Sequence, residues 1–251
     1  MTILGCGTTA IDPHKGCPGF LMQSGGKNLL LESGSGTLYR LVKTGIRLDE
    51  IGTLCYSHHH PDHVSDLLPL LHSLKWDPGL QKYPREMNIL GPPKVLDLYH
   101  QLMLFYQDSL SPDGNRLNVH LLSTLERQVS ANNLIIDCIT VDHTPDSTGY
   151  RFSIQDKTFA YSGDAGLDAN LIKLAEGCDL LLCECSFPNR RKMRGHMCPR
   201  DVGALIREAN PKKVLLTHIY PQWNSEEKKE LDKILESDRV SLAKDCMSLS
   251  I

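Results

Sequence analysis

The sequence lacks the features of membrane and secreted proteins. No apolar run approaches the length of about 20 residues that a helix needs to cross a bilayer, and residues 1–13 show no basic segment followed by an apolar one. No CxxC pair occurs, and the nine cysteines are too scattered for the disulfide framework of a small secreted scaffold. We therefore expect a cytoplasmic protein with no membrane contact, in which most cysteines are reduced thiols.

Strong charge bias and repetition are also missing. The net charge is −3, and no low-complexity tract or internal repeat is visible. The bulk charge argues against a nucleic-acid-binding protein that depends on the field of a wholly basic domain, so any such contact would need a local basic patch. With 41% hydrophobic residues and no linker-like segment, the chain is expected to form one domain over residues 1–251.

Short apolar runs punctuated by turn residues alternate with amphipathic stripes along the chain. An apolar stripe after Pro61 predicts a helix that Pro69 should bend, and residues 111–114 read as a polar turn. Strands are predicted at residues 2–4, 20–22, 28–31, 53–56, 87–90, 119–122, 134–141, 149–154, 158–162, 180–184 and 214–217. Further helices are predicted at residues 95–106, 168–176, 200–209 and 225–235. This mixture indicates two sheets flanked by helices.

The most informative segment has the pattern H-x-H-x-D-H and lies between a predicted strand and a predicted helix. Imidazole nitrogens and carboxylate oxygens are ligands that zinc and similar divalent ions take, and a loop lets them converge without obeying one helical or strand period. A solvated histidine-rich loop is the alternative, but the position in mid-chain argues against a tag-like run. The four candidate ligands are His58, His60, Asp62 and His63.

Three further candidates each follow a predicted strand directly: His143, Asp164 and His218. Side chains at strand ends on one edge of a sheet can converge on a common crevice, although a single such residue is more often a cap or turn residue. Together with the first cluster they supply five histidines and two aspartates, enough for two divalent ions that share Asp164. Zinc is the ion expected, with manganese or iron(II) as alternatives.

This ordered set resembles the metallo-β-lactamase superfamily, and the residues around it resemble the branch of ribonuclease Z and related phosphodiesterases. The resemblance spans nearly the whole chain, including a glycine-rich turn at residues 4–8, a loop at 32–37, and the stretches 147–151, 161–164 and 216–218. It implies an α/β fold of the αββα type, with two β-sheets flanked by helices. It also implies that one zinc ion is bound by His58, His60 and His143, the other by Asp62, His63 and His218, with Asp164 as the bridge.

The resemblance implies three catalytic residues: Asp62, which is also a ligand, Glu184 and His196. The last two match a carboxylate and a histidine that form a pair beside the metals in this branch. A histidine oriented by a carboxylate can stabilise charge on a phosphate oxygen or protonate a leaving alkoxide. The alternative is that Glu184 is a solvent-facing carboxylate at the end of a strand and His196 a loop histidine, neither with a role in catalysis.

A short basic run directly precedes His196. Guanidinium groups beside a two-metal centre would suit a phosphodiester, although a basic run is more often a solvated loop. The candidates for binding a substrate phosphate are Arg190, Arg191, Lys192 and Arg194.

Members of this branch that process transfer RNA carry a long arm between the third His motif and the bridging Asp, and no such arm fits between His143 and Asp164. The sequence therefore predicts an arm-less phosphodiesterase that uses a metal-bridging hydroxide. Its substrate would be a small phosphodiester or an RNA 3′ end, and relatives of this kind often form homodimers. Two alternatives stay open: a lactonase or thioesterase of the same fold, and a non-catalytic carrier resembling the pyrroloquinoline quinone biosynthesis protein.

Overall fold

A computed structural model describes residues 1–80, 86–110, 117–131 and 134–251, which form thirteen strands and seven α-helices. The first sheet contains β1 (Thr2–Gly5), β2 (Gly19–Ser24), β3 (Lys27–Leu31), β4 (Ile51–Cys55), β5 (Glu86–Gly91) and β6 (Asn118–Ser123). The second contains β7 (Gln128–Ala131), β8 (Leu134–Thr140), β9 (Thr148–Ile154), β10 (Lys157–Tyr161), β11 (Leu180–Glu184), β12 (Val214–Thr217) and β13 (Val240–Leu242). The helices are α1 (Thr37–Lys43), α2 (Pro61–Val64), α3 (Leu67–Trp76), α4 (Pro93–Tyr106), α5 (Ala169–Ala175), α6 (Pro199–Ala209) and α7 (Ser225–Leu235).

In both sheets the strands lie side by side in chain order. Strands β1 to β3 pair antiparallel and β3 to β6 parallel. In the second sheet β7 to β10 pair antiparallel and β10 to β13 parallel. The C-terminal ends of the parallel strands therefore share one edge in each sheet, which is where loops that carry functional groups can meet.

Three apolar layers hold the sheets and helices together, and the two-residue period of a strand assigns each side chain to its layer. In β3, Leu29 and Leu31 pack between the two sheets while Leu30 packs towards the helices beside the first sheet. In β11, Leu182 packs between the sheets and Leu181 packs towards α5, α6 and α7. The result is the four-layer αββα arrangement, so the predicted fold class is confirmed.

Most predicted elements are present, with ends that differ by a few residues. Helix α1 and the strands β7 and β13 were not predicted; β7 and β13 are short and polar residues interrupt their apolar pattern. The bend expected at Pro69 is wrong: Pro69 lies in the first turn of α3, where a missing backbone N–H disrupts no helical hydrogen bond. The polar turn at 111–114 lies outside the described residues.

Two further expectations can be compared with the structure. All nine cysteines are free thiols, as expected. Within the described ranges, no helix combines the length and apolar character that spanning a bilayer requires.

The packing of the two sheets can be tested at Leu182, which is fully buried between them. We expect Leu182→Ala to lower the free energy of unfolding by about 2–5 kcal/mol, because the lost contacts leave a cavity. Leu125→Ala, at a side chain that is 76% exposed, should change it by less than about 0.5 kcal/mol. Chemical denaturation of both variants measures the difference, and similar values for the two would contradict this placement of Leu182.

Candidate metal centre

The seven candidate ligands meet at the edge where strands of both sheets end. His58 and His60 lie in the loop after β4, and Asp62 and His63 lie in α2. Pro61 occupies the first position of that one-turn helix, for which its fixed φ is suited, and His60 precedes it in extended conformation. From the second sheet come three single residues placed after β8, β10 and β12, namely His143, Asp164 and His218.

One cluster consists of His58, His60, His143 and Asp164, whose ligand atoms all lie within 4.8 Å of one another. The Nδ1 atom of His60 lies 3.0 Å from Nε2 of His58 and 3.1 Å from Nε2 of His143. Oδ2 of Asp164 lies 3.9 Å from Nε2 of both His58 and His143. Three ring nitrogens and one carboxylate oxygen therefore converge on a single small volume.

The second cluster consists of Asp62, His63 and His218. Oδ2 of Asp62 lies 3.3 Å from Nε2 of His218 and 3.9 Å from Nε2 of His63. The other oxygen of Asp164, Oδ1, lies 3.5 Å from Nε2 of His63 and 3.5 Å from Nδ1 of His218. Each oxygen of the Asp164 carboxylate thus faces a different cluster.

The chemistry of these groups fits divalent ions. Burial lowers the pKa values of His58, His60 and His143, which favours the neutral imidazole that a metal requires. Burial would raise the pKa of Asp164, but His218 and His63 hold it well below its ordinary value. Among the residues that the structure describes, neither ring nitrogen of the buried His63 makes a hydrogen bond, and buried polar atoms are rarely left so. At His63 the charges of Asp164 and Glu32 outweigh burial and raise its pKa well above the ordinary value, so the negative charge around this ring is charge that a cation would also compensate.

A second layer of polar groups orients the histidine rings, as is usual around metal ligands. Two of these groups, Glu32 and Ser186, were not identified as site residues from the sequence. Glu32 follows the buried leucines of β3, where a fully buried carboxylate is the available signal. The contacts at the Nδ1 atoms are Ser57 Oγ to His58 at 3.0 Å, the Gly195 carbonyl to His143 at 2.9 Å, Ser186 Oγ to His218 at 3.0 Å, and Glu32 Oε2 to His63 at 3.6 Å.

His196 and Glu184 form the pair that the resemblance implied. Nδ1 of His196 lies 2.7 Å from Oε1 of Glu184, and a ring nitrogen of His196 lies within 4.8 Å of the ligand atoms of Asp164 and His218. Glu184 is fully buried. Its carboxylate accepts three backbone hydrogen bonds, from the N–H groups of Ala165, Ser186 and Met197 at 2.9, 3.1 and 3.2 Å.

The four basic residues before His196 have different surroundings. Arg191 forms a two-pronged ion pair with Glu227 at 2.9 and 2.8 Å, and Lys192 lies 2.7 Å from Asp201. Arg190 is exposed. Arg194 is exposed and lines an open cavity of about 380 Å³ that the candidate ligand His143 also lines.

The backbone of His218 is held by residues far away in sequence. Its φ of 54° lies in the left-handed region, which costs energy for a residue other than glycine, and its N–H donates to the Cys6 carbonyl at 3.1 Å. Asp245 in turn fixes Cys6, accepting its N–H at 3.0 Å, and it also accepts the Gly16 N–H at 2.7 Å and contacts Arg40 at 3.2 Å. The position of His218 therefore depends on this network.

Comparison with known proteins shows the family. A sequence profile of the beta-lactamase superfamily domain matches residues 28–219. The chain is 28% identical to the uncharacterized protein Rv1339 of Mycobacterium tuberculosis, over 90% of this chain and 82% of that one. It is 24% identical to the probable metallo-hydrolase YhfI of Bacillus subtilis, over 87% of this chain and 86% of that one. It is also 24% identical to ribonuclease Z of Saccharolobus islandicus, over 88% of each chain.

Solved structures share the fold. The crystal structure of YhfI from Bacillus subtilis superposes with a TM-score of 0.82 at 22% identity, covering 98% of this chain and 96% of that one. Human tRNase Z, short form, superposes with a TM-score of 0.76 at 22% identity, covering 100% of this chain and 98% of that one. A diphosphatase from the PhnP family superposes with a TM-score of 0.74 at 18% identity, covering 100% of this chain and 96% of that one. With the profile match over most of its length and with the histidine and aspartate clusters in place, the chain belongs to the metallo-β-lactamase superfamily of metallo-hydrolases.

Proposed function

We propose that the protein is a binuclear metal-dependent phosphodiesterase. The observation that carries this proposal is the pair formed by His196 and Glu184, which points a histidine into a centre whose two clusters share Asp164. A two-ion hydrolase of carbonyl esters does not need this added proton donor. The names of two relatives, a ribonuclease and a diphosphatase, also support chemistry at phosphorus.

The donor set favours zinc, with manganese and iron(II) as alternatives, because imidazole and carboxylate ligands suit all three. One ion would be held by His58, His60 and His143 and the second by Asp62, His63 and His218, and Asp164, whose two oxygens face the two clusters, would contribute to both. Two ions held in this way supply a hydroxide nucleophile at neutral pH and positive charge beside the phosphoryl oxygens.

The protein's own groups would act at the two ends of the reacting bond. As hydroxide displaced the leaving oxygen from phosphorus, His196 would give a proton to that oxygen. Asp62, whose side chain is 10% exposed, would accept a hydrogen bond from the attacking hydroxide and orient it. Arg194, on the cavity beside His143, is the best placed of the four basic residues to contact a phosphate oxygen.

Glu184 is a positioning residue in this scheme, because its carboxylate is buried and directed at His196 and the backbone. Burial lowers the pKa of His196, but the hydrogen bond and the charge of Glu184 outweigh it, so the pKa lies above its ordinary value. The Glu184 carboxylate thus favours the protonated form of His196, which is the form that can donate a proton to a leaving group.

The shared carboxylate gives the first test of this function. Protein prepared with zinc should contain about two ions per chain, and Asp164→Ala should lose ions and lower turnover by more than about a hundredfold, because no neutral side chain can hold two cations against their repulsion. Asp142→Ala, at an exposed carboxylate next to His143, is the matched control and should retain both the ion content and the turnover of the wild-type protein. Elemental analysis and a diester assay decide, and equal damage from both substitutions would show that the bridge is wrongly assigned.

The second test concerns the proton donor. His196→Ala should leave the ion content unchanged and lower turnover of a nucleoside diester by about a hundredfold. Bis-p-nitrophenyl phosphate should be affected much less, because nitrophenolate leaves without protonation. His100→Ala, at an exposed histidine of α4, serves as the control. Equal losses on both substrates would instead indicate charge stabilisation at phosphorus, and a lost ion would make His196 a ligand.

Glu184→Gln is a poor probe of this pair. Each carboxylate oxygen accepts at least one backbone N–H, so either orientation of an amide would place its NH₂ group against a donor. We expect that variant to lose stability as well as activity.

The third test concerns Glu32, which orients His63. Its Oε1 accepts the Ser57 N–H at 2.9 Å and its Oε2 faces Nδ1 of His63. In Glu32→Gln the amide oxygen would keep the Ser57 contact and the NH₂ would face Nδ1, favouring the tautomer whose Nε2 carries a hydrogen and cannot bind metal. Ion affinity measured against a chelator should fall by about tenfold or more. The control Glu126→Gln, at an exposed glutamate, should leave the ion affinity unchanged. An ion affinity that is also unchanged in Glu32→Gln would refute the orienting role of Glu32.

A substrate panel separates the phosphodiesterase from its alternatives. Metal-loaded protein should hydrolyse bis-p-nitrophenyl phosphate and 2′,3′-cyclic nucleotides, and a 3′-extended transfer RNA tests whether RNA is cut without an arm. Faster hydrolysis of a lactone or a thioester would replace the proposal with the carbonyl-ester alternative. No turnover of any of them would favour the carrier.

A further inference from the structure

Two aromatic side chains that the proposed reaction does not use stand beside the metal centre. Phe187 follows β11 and Tyr220 follows β12, and their rings stack with centroids 4.7 Å apart and planes at 19°. The backbone anchors both residues: the Phe187 N–H donates to the Met197 carbonyl at 3.4 Å, and the Tyr220 N–H donates to the Ser186 carbonyl at 3.3 Å. Backbone hydrogen bonds therefore hold both residues in place beside the candidate metal centre.

This pair borders the groups that would act on a substrate. The Phe187 ring meets the ring of His196 edge to face at 5.3 Å between centroids, and the Tyr220 ring meets that of His218 at 5.9 Å. A molecule held against the pair would consequently lie next to the proposed proton donor.

The pair is also accessible, unlike the aromatic residues of the core. Phe20, Phe152 and Phe159 are fully buried between the sheets, whereas Phe187 and Tyr220 are both partly exposed. Because the two stacked rings are partly exposed and adjoin the candidate centre, a ligand that lies at the centre can contact them.

We propose that Phe187 and Tyr220 form a stacking subsite for the base of a nucleoside phosphodiester. The inference rests on the proposed function, and it specifies the substrate class. The base would belong to the nucleoside that carries the leaving oxygen, because the pair adjoins His196. Every base has a π-face, so stacking would favour nucleosides over base-free alcohols with little preference among bases.

Binding of two ligands that differ only in the base tests the subsite. Calorimetry on metal-loaded protein should show that adenosine 5′-monophosphate binds about tenfold or more tightly than ribose 5-phosphate. Tyr220→Leu and Phe187→Leu should each weaken binding of the nucleotide by about fivefold or more and leave ribose 5-phosphate within about twofold of its starting affinity. Tyr220→Phe should still bind adenosine 5′-monophosphate more tightly than ribose 5-phosphate, because the aromatic ring remains.

Tyr39→Leu, at a tyrosine of α1 that is 65% exposed, is the matched control and should change neither affinity. Equal affinities of the wild-type protein for the two ligands would overturn the subsite. So would an equal loss for both ligands in the leucine variants, since that would mean the pair only supports His196 and His218. Hydrolysis of a diester is measured separately: turnover without a preference for the base defeats this inference alone, and a preference without turnover defeats the proposed function.

Discussion

A single buried carboxylate organises the centre. Asp164 is only 4% exposed and lies among imidazoles that come from both sheets, so its charge must be compensated in place. It follows β10, the strand at which the second sheet changes from antiparallel to parallel pairing. Loops from both sides of this strand can therefore reach it, which is why residues after β8, β11 and β12 surround one point. The two packed sheets serve to bring these strand ends together.

The candidate ligands are easier to identify in the sequence than the polar groups that support them. His58, His60, Asp62 and His63 are identifiable because four ligands lie within six positions, and each later ligand ends an apolar strand. Glu32 and Ser186 act through contacts with residues that are distant along the chain. No local pattern marks such a role, because a polar residue after a strand reads equally well as a turn.

In the fold, too, some elements are visible in the local sequence and others depend on contacts with distant residues. The alternation of β8 and the continuous apolar run of β11 reveal these strands in the sequence. Strand β13 has only three residues and is defined by its pairing with β12. The loop before His196 is a further case. Its basic run read as one patch, but Arg191 and Lys192 pair with carboxylates of α7 and α6, and only the folded chain shows which charges are already compensated.

The network behind His218 has a consequence for how the centre is assembled. Cys6, His218 and Asp245 are joined by hydrogen bonds although most of the chain separates them, and contacts of this range form slowly because much loop entropy must be lost first. The early ligands His58 to His63 are local and can gather while the rest is still unfolded. The second cluster is complete only after the last segments dock, so an ion bound there, as the proposed function requires, would be captured late in folding and would stabilise the native state by mass action.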